Sequence, residues 1–499
     1  MQAIIIKNYQ RIPYDSIPIL SYDLFKTEIL DTLMHDESSH CINYFGVAQE
    51  KSIRLICCIA NDTTHSIAVV STVVSPSNTL DSLTAQRLEF HIFEREIHEQ
   101  FGINFADHPW LKPVRYSFNR HQSNEIIANY PFYSVDSEEF HEVGVGPIHA
   151  GIIEPGHFRF ICNGEKIVHL EIQLGYQHRG IESLFLSKKS LLQRSVLSEN
   201  IAGDTVIGHA STFARVWESL SEQAIPPSIQ KERTIALEHE RIAIHTGDLS
   251  AMCTDLAYQL GSAVFGRLRT PIINFFQEWA GNRFAKGLIR PEKTNFPFTR
   301  QTAERWTQVI DAFEPDFLEM YDKLSDLPSA LSRMEKTSIV TAQTAKKIGM
   351  VGMSARASGV KRDIRSSHPE GWSSMPHQPI IKKHGDVFSR IQIRKEEVVQ
   401  SIGYIRQWIN EMDYDPSAMN MPAKEALPNS FVIGLTEGWR GEICHCAITN
   451  QQGELILYKI KDPSLHNWLA LALAVRNNEI SDFPICNKSF DLSYCGHDL

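Results

Sequence analysis

The chain has 499 residues, of which 42% are hydrophobic and 22% are charged, and a formal net charge of −10 at pH 7. This length favours two domains over one, and the negative charge argues against binding to nucleic acid or anionic lipid as a main role. The 9 scattered cysteines indicate a reducing compartment, and no stretch approaches the roughly 18 apolar residues of a membrane helix. We therefore expect a soluble chain that reaches a membrane only through partners.

Residues 1–120 predict a small α+β domain. Runs 53–59 and 66–74 are rich in β-branched residues and predict two strands. The polar residues 61–64 between these runs predict the turn of a β-hairpin.

A helix is expected after this hairpin, from a cap at Ser77 or Asn78 to about Gln100, with Gly102 ending it. Apolar residues at mainly helical spacing give this helix one apolar face. They are Leu83, Phe90, Phe93, Ile97 and Phe101. The charged residues near its end are expected to be exposed, either as a solvated face or as a docking surface for a partner. They are Glu94, Arg95, Glu96 and Glu99.

The polar segment 121–142, with clustered acidic residues, is typical of a linker between domains. Beyond this segment, apolar residues at three- and four-residue steps predict long helices. These helices are expected around 183–200, 209–222, 229–247, 299–325 and 390–412. Pro226, Pro227 and Pro271 are expected to interrupt the helical segments.

The last part of the chain predicts strands at 431–435, 442–448 and 454–460. Within the middle strand, Cys444 and Cys446 flank a histidine, and this spacing is similar to that of a metal-binding clip. Side chains alternate along a strand, so the histidine should point away from both cysteines. We therefore favour a structural role for these residues over metal binding.

Residues 93–111 read Phe-Glu-Arg-Glu-Ile-His-Glu-Gln-Phe-Gly-Ile-Asn-Phe-Ala-Asp-His-Pro-Trp-Leu. This run closely resembles the signature of the C-type subunit of complex I, in which a helix ends in Phe-Gly and the chain continues to His-Pro-x-Leu. In that family the domain is a docking element that binds no cofactor. The resemblance therefore assigns no chemistry to this part of the chain.

A second set of motifs follows. Residues 143–150 read Val-Gly-Val-Gly-Pro-Ile-His-Ala, Gly164-Glu165 lies in the next hairpin, and residues 175–182 read Gly-Tyr-Gln-His-Arg-Gly-Ile-Glu. Together they look like the opening of the D-type subunit of complex I, which belongs to the [NiFe]-hydrogenase large-subunit superfamily. Residues 437–442 and 460–467 look like the turn and strand that close the active-site cavity of that superfamily.

The resemblance implies a fused chain, as in the large subunits of hydrogenase-4 and formate hydrogenlyase. Residues 1–120 would form a C-type docking domain, residues 121–142 a linker, and residues 143–499 a D-type domain. The implied fold class is an α+β N-terminal domain followed by a mainly α, hydrogenase large-subunit-like domain with small β elements.

In the hydrogenases, two Cys-x-x-Cys pairs hold nickel and iron. Here Ala202 and Thr205 stand at the first pair, and Ser493 and Gly496 stand at the second when Asp491 is aligned with the family's aspartate. Soft metal ions need thiolate ligands, and these side chains supply none. The resemblance therefore implies the fold without hydrogen chemistry, and a chain that binds no metal or other cofactor of its own.

The resemblance also implies a site in the D-type domain. His149 would lie on a hairpin loop at a quinone headgroup; the alternative is a solvent-exposed loop histidine. The family tyrosine that hydrogen-bonds the quinone is missing between Arg194 and His209, so quinone is only a candidate acceptor. Asp204 could replace the tyrosine as a carboxyl whose pKa is raised if it is buried. The alternative for Asp204 is the N-cap of the next helix.

His178 and Arg179 are expected to brace either a partner's iron–sulfur cluster or a helix terminus. A fixed arginine charge raises the potential of a neighbouring cluster.

The interpretation that follows is an oxidoreductase subunit in the peripheral arm of a membrane-bound, complex I-like assembly, on the cytoplasmic face of the membrane. Its expected partners are a small B-type subunit that carries the terminal [4Fe-4S] cluster, and antiporter-like membrane subunits; no nucleic acid is expected. The site would pass electrons to quinone or another carrier, coupled to ion translocation. The alternative is a structural coupling subunit with no redox substrate.

Overall fold

The computed structural model describes residues 2–149, 151, 153–291, 293–370, 375–412, 414 and 424–499. The strands of the N-terminal region are β1 (Ile4–Ile6), β2 (Ile12–Pro13), β3 (Ile19–Leu20), β4 (Ser39–Ala48), β5 (Ile53–Asn61), β6 (Ser66–Val74), β7 (Thr79–Asp81) and β8 (Asn104–Ala106), and its helices are α1 (Tyr22–His35) and α2 (His91–Phe101). A five-stranded sheet in the order β1-β6-β5-β4, with β3 parallel to β6, forms its centre.

The predicted hairpin is confirmed. Strands β5 and β6 pair antiparallel from Ile53 and Val74 to Asn61 and Ser66. The Asn61 side-chain oxygen accepts hydrogen bonds from the backbone N–H groups of residues 63 and 64, at 3.1 and 2.8 Å, and so closes the turn. One face of the sheet packs on α1 and α2, and the other packs on the C-terminal sheet.

The predicted helix from residue 77 to about 100 is wrong in its first half. Residues 79–81 form β7, which pairs parallel with β8, and helix α2 begins only at His91. The reason lies in Glu94, whose buried carboxylate accepts hydrogen bonds from the hydroxyls of Ser82 and Thr84, both at 2.6 Å, and from a backbone N–H. These bonds close a turn before the helix. Gly102 ends α2 as predicted, with a φ of 75°.

The expectation that the acidic residues of α2 are exposed is also wrong, because Glu94, Glu96 and Glu99 are all buried. Glu96 pairs with Arg115 at 2.5 Å and with Lys459 of the C-terminal sheet at 2.6 Å. Glu99 accepts three backbone N–H bonds from residues 114, 115 and 117. These carboxylates therefore organise the interior and join the two halves of the chain. They do not form a docking surface.

The strands after residue 140 are β9 (His141–Val145), β10 (His157–Asn163), β11 (Lys166–Gln173), β12 (Ile289–Arg290), β13 (Lys293–Thr294), β14 (Ser430–Glu437), β15 (Glu442–Thr449) and β16 (Leu455–Lys461). The helices are α3 (Ile181–Ser187), α4 (Leu191–Ser198), α5 (Val206–Leu220), α6 (Pro227–Asp255), α7 (Gln259–Ala280), α8 (Arg300–Ser325), α9 (Pro328–Met334), α10 (Ala342–Lys347), α11 (Gly352–Ala357), α12 (Ile364–Ser367), α13 (Val387–Glu411), α14 (Ser464–Ala474), α15 (Phe483–Phe490) and α16 (Tyr494–Asp498).

The long helix α6 lies at the centre of this region and packs against α5, α7, α13 and α15. The segments predicted to be helical near 209, 229, 299 and 390 are confirmed. The segment 183–200 forms two helices, because Ser190 starts a new one by accepting a hydrogen bond from the backbone of Gln193. Within the described ranges, no helix is both long enough and apolar enough to cross a bilayer.

Pro271 does not interrupt a helix, contrary to expectation, but lies inside α7. A proline removes one helical hydrogen bond and destabilises a helix by roughly 3 kcal/mol. Leu268, three residues before Pro271, and Ile272, which follows it, are buried in the main core, and this burial offsets the loss. Pro227 is the first residue of α6, a position that tolerates proline.

The three predicted C-terminal strands are confirmed as β14, β15 and β16, and β2 from the N-terminal region adds a fourth strand. Cys444 and Cys446 face Asn43 of the N-terminal sheet, whereas His445 points to the other face, towards His209. The alternation predicted for this strand is therefore confirmed. The fold class, an α+β region followed by a mainly α region with small β elements, is also as predicted.

Candidate functional site

The segments that carry the predicted site residues meet around a cavity of about 420 Å³. One wall is the turn before α5, which contains Gly203 and Asp204. The second wall is the C-terminal segment 491–495, and the third is formed by Ile153 and Glu154 of the loop between β9 and β10. Helix α6 closes the cavity from behind. The two segments that the resemblance aligns with the metal-binding segments of the hydrogenases thus lie side by side.

Arg440 links these two segments. Its two terminal nitrogens donate to the carboxylate of Asp204, both at 2.6 Å, and one of them also donates to the Thr205 hydroxyl at 3.1 Å. Its Nε donates to the backbone carbonyl of Asp491. The guanidinium lies 4.0 Å from the centre of the Trp439 ring, which supports it from one side.

The backbone explains why Arg440 reaches this place. Gly438 and Gly441 exchange two backbone hydrogen bonds, at 2.9 and 3.1 Å, and close a tight turn between β14 and β15. Gly441 has a φ of 145°, and a Cβ atom there would lie 2.5 Å from the Cα of Gly352. Only glycine fits, so the turn is fixed and the arginine projects towards the cavity.

Asp204 does not cap helix α5. Thr205 occupies the N-cap position, and the first backbone N–H groups, of Ile207 and Gly208, donate to the buried carboxyl of Glu240 at 2.8 and 3.2 Å. Burial raises the pKa of Glu240 to about 8. The Asp204 side chain is 35% exposed and is the charge partner of Arg440. The N-cap alternative is therefore wrong, and Asp204 lies in the wall of the cavity.

The side chains at the four positions that the resemblance aligns with metal ligands make other contacts. Ser493 caps α16 by accepting a hydrogen bond from the backbone of Gly496 at 2.8 Å. A Cβ atom on Gly496 would lie 2.7 Å from the carboxyl carbon of Asp462, so a cysteine would not fit there. Burial raises the pKa of the neighbouring Cys495 thiol to about 11. The donor set therefore does not suit nickel, which needs several thiolates.

His149 lies at the edge of the cavity and does not line it. Its ring centre is 5.4 Å from that of Phe158 and 6.2 Å from that of Tyr494, which does line the cavity. Its Nε2 is buried and has no hydrogen-bond partner among the described residues. Partial burial lowers the pKa of His149. No direct hydrogen bond joins His149 to Asp204 in the described part of the chain.

His178 and Arg179 bind the C-terminal segment. Arg179 donates to the carbonyls of Asn200 and Ile201, just after helix α4, and to that of Cys495. His178 accepts a hydrogen bond from the backbone of residue 118 through Nε2, so its Nδ1 carries the proton donated to the carbonyl of Asp498 at 2.8 Å. Both residues thus brace helix ends, which was one of the two predicted roles.

Several charged residues of the cavity wall were missed by sequence reasoning. Asp248 of α6 pairs with Arg394 at 2.9 Å and lies 3.4 Å from Lys488, which also binds Asp491 at 2.7 Å. Burial and the neighbouring charge of Asp491 raise the pKa of Asp248. Burial opposes the ionisation of Asp491, but the charges of Lys488 and Arg440 outweigh it and lower the pKa of that carboxyl. The wall therefore contains one carboxyl that holds its proton more tightly than usual.

Arg269 of α7 is a second missed residue. It lines the cavity, and within the described residues no carboxylate lies within ion-pair distance of it and its Nε has no partner. No motif surrounds it in the sequence, so only its place in the fold identifies it. Its N–H groups are available to an oxygen of a bound molecule.

A buried polar chain lies beneath the cavity. Asp462 accepts from His209 Nε2 at 3.1 Å, His209 Nδ1 lies 3.0 Å from His445 Nε2, and His445 Nδ1 lies 2.9 Å from the Tyr458 hydroxyl. Because an ionised carboxylate only accepts, each group donates to the next in one direction, from the tyrosine to Asp462. Burial opposes the ionisation of Asp462, but His209 and Arg440 lower its pKa on balance.

Comparison with known proteins confirms the resemblance in both halves of the chain. Residues 26–120 match the family described as respiratory-chain NADH dehydrogenase, 30 Kd subunit. Residues 261–429 match the family described as respiratory-chain NADH dehydrogenase, 49 Kd subunit. The order of the two matches is that of a fusion of the C-type and D-type subunits.

Individual relatives agree with these matches. Formate hydrogenlyase subunit 5 of Escherichia coli (strain K12) is 28% identical over 360 residues, which cover 70% of this chain and 62% of the relative. Hydrogenase-4 component G of the same organism is 25% identical and covers 80% of this chain and 72% of the relative. The chain therefore spans less than two thirds of the first of these relatives.

A solved structure shares the fold. A chain in the structure of the membrane-bound sulfane sulfur reductase, an archaeal respiratory membrane complex, superimposes with a TM-score of 0.66 at 19% identity. The match covers 74% of this chain and 100% of the other. Together with the match to the 49 Kd subunit family, this likeness supports the predicted fold of the mainly helical region.

Proposed function

Because the chain is a fused relative of the 30 kDa and 49 kDa subunits of complex I and of hydrogenase-4 and formate hydrogenlyase subunits, we propose that it is a redox subunit in the peripheral arm of a membrane-bound assembly. It houses a carrier site next to the terminal iron–sulfur cluster of a small partner subunit. The observation that carries this proposal is the cavity between the turn before α5 and the segment 491–495, which retains polar and charged walls.

The chemistry that a quinone-like carrier would supply there is acceptance of two electrons and two protons. The residues of this chain would bind and protonate it. Arg269 lines the cavity and has no carboxylate partner among the described residues, so its guanidinium can hold an oxygen of the carrier. His149 is the protonatable side chain of the adjoining loop, and Asp204 lies in the wall. Asp248, whose pKa is raised, is a further proton store in the same wall.

The proposal places the chain on the cytoplasmic face of the membrane, bound to antiporter-like membrane subunits. Electron transfer through the site is coupled to ion translocation by those partners. His178 and Arg179 hold the C-terminal helix in place beside the site, and the positive charge of Arg179 is then available to a nearby cluster.

A structural coupling subunit without a redox substrate is the second candidate. The observation that favours it is Arg440, whose side chain bridges the two former metal-binding segments and so ties them together without a cofactor. The absence of a tyrosine between Arg194 and His209 points the same way.

Isolation from native membranes tests whether the chain is part of such an assembly. The tagged chain, purified in mild detergent, should bring with it a small iron–sulfur subunit and several membrane subunits. Interfaces of permanent complexes are large and apolar, so the complex should survive a high-salt wash. Recovery of the chain as a lone monomer under these conditions contradicts the proposal.

We also propose that the chain holds no nickel or iron of its own, since Ala202, Thr205, Ser493 and Gly496 stand at the ligand positions. Elemental analysis of the purified chain should detect neither metal in stoichiometric amount. The same sample should not reduce a viologen dye with hydrogen. Stoichiometric nickel, or hydrogen-dependent dye reduction that disappears in Cys495→Ser, counts against this proposal.

A further inference from the structure

A second cavity, of about 400 Å³, lies between the N-terminal domain and helix α14. Its walls come from α2, from the segment 110–114, from strand β11 and from α14. Most of the wall is apolar, and it includes Ile92, Val114, Leu465, Leu469 and Leu473. Apolar pockets of this size that contain a few polar groups are the usual form of small-molecule sites.

His91 is the first indication of a ligand. It lines this cavity, is 2% exposed, and has no hydrogen-bond partner for either ring nitrogen among the described residues. Its ring centre lies 5.3 Å from that of Trp110, which also lines the cavity. Buried polar groups are nearly always hydrogen-bonded in folded proteins. Each of the two ring nitrogens has less than 1 Å² of accessible surface, so a molecule in the cavity supplies the missing partner once the ring turns towards the open space.

The charges of the wall indicate the chemistry of that molecule. Arg95 donates only to the backbone carbonyls of residues 112 and 113, at 2.8 and 2.7 Å. Arg476 contacts the neutral acceptor nitrogen of His169 at 3.1 Å. In the described part of the chain, neither guanidinium has a carboxylate within ion-pair distance. The carboxylate of the described wall, Glu171, is already paired with a lysine at 2.5 Å.

We propose that this cavity binds an amphipathic monocarboxylate. The apolar body lies against α14 and β11, and the carboxylate accepts hydrogen bonds from Arg95, and from His91 once its ring turns towards the cavity. An acidic headgroup is favoured over a neutral one because the half-buried guanidinium of Arg95 has no carboxylate partner in the described part of the chain. The inference does not rest on the proposed redox function. The cavity is separated from the redox cavity by Trp468 and Tyr494, whose rings meet edge to face at 4.8 Å.

Calorimetric titration of the full chain tests this proposal, with decanoate below its critical micelle concentration and 1-decanol below its solubility limit as probes. Decanoate should bind with a stoichiometry of one, and decanol should bind at least about tenfold more weakly, because a charge-assisted hydrogen bond is lost. Absence of saturable decanoate binding overturns the proposal. Equal affinity for the alcohol overturns the assignment of a carboxylate.

Two variants of the cavity wall and one control variant outside it locate the binding site. Arg95→Leu should weaken decanoate binding by about tenfold, whereas Arg159→Leu, on the outer hairpin and outside the cavity wall, should leave it unchanged. Ala472→Phe places a ring in the cavity, since Ala472 lines it, and should abolish binding. Circular dichroism checks that each variant is folded. Unchanged affinity in folded Ala472→Phe places the decanoate elsewhere and contradicts the proposal.

Discussion

Replacing Arg356 by methionine is expected to lower the free energy of unfolding by about 3–5 kcal/mol, because removing one partner of a buried ion pair leaves uncompensated charge. Arg356 is fully buried and pairs with Glu397 at 2.6 Å, with Glu437 at 2.7 Å and with Asp363 at 3.1 Å. Methionine fills much of the same volume, so the effect is that of the lost charge.

Arg356 belongs to a buried network that joins α6, α11, α12 and α13 to the end of β14. Its guanidinium groups are those of Arg241, Arg356 and Arg365, and its carboxyl groups are those of Glu238, Asp363, Glu397 and Glu437. Burial and the charge of Asp363 raise the pKa of Glu437, which balances the network by favouring one protonated carboxyl. This network fixes the turn that carries Arg440, so its loss should also disturb the cavity.

Chemical denaturation followed by circular dichroism measures this prediction. The matched control is Arg267→Met, which removes an arginine from an exposed pair with Asp316, where the two side chains are 64% and 47% exposed. The control should change stability by less than about 1 kcal/mol. The double variant Arg356→Met, Glu397→Gln should recover part of the loss, since it removes the carboxylate charge that exceeds the charge of the two remaining guanidinium groups. Equal stabilities for Arg356→Met and Arg267→Met contradict the account of the network.

Local patterns in the sequence predicted the elements that depend on local chemistry. The hairpin at Asn61, the helix end at Gly102 and the long helices all follow from turn residues and from helical spacing. The motif frame placed the turn before α5 and the C-terminal segment at the two metal-ligand positions, and the structure brings these two segments together. These features can be predicted from neighbouring residues, or from a motif whose spacing is intact.

What the sequence did not predict depends on contacts between distant residues. Glu94 and Glu96 belong to a charged run that is typical of a solvated helix surface, but their partners come from the turn before the helix and from Lys459, far along the chain. Arg440 and Asp204 are separated by more than 200 residues. Such pairs cannot be predicted from periodicity or local spacing, because only the tertiary fold brings their residues together.

His149→Gln in the purified assembly is expected to abolish electron transfer from reduced viologen to a quinone analogue, while the subunit composition stays unchanged. Glutamine keeps a polar side chain of similar size but does not titrate, and it therefore does not move a proton to the carrier. The Nε2 of His149 has no partner among the described residues, so the substitution removes no hydrogen bond within them. His141→Gln, on the same hairpin and exposed, is the matched control and should retain activity.

Asp204→Asn extends this test to the cavity wall. It removes the charge that pairs with Arg440. Electron transfer should become slower, to a degree that depends on pH, because the other titratable groups of the wall must then deliver the proton. Rates are measured across the neutral pH range beside those of His149→Gln. The account predicts no turnover for His149→Gln and slowed, pH-dependent turnover for Asp204→Asn, in assemblies of normal composition. Wild-type electron transfer in both variants would contradict a redox site in this cavity and leave the structural coupling role in its place.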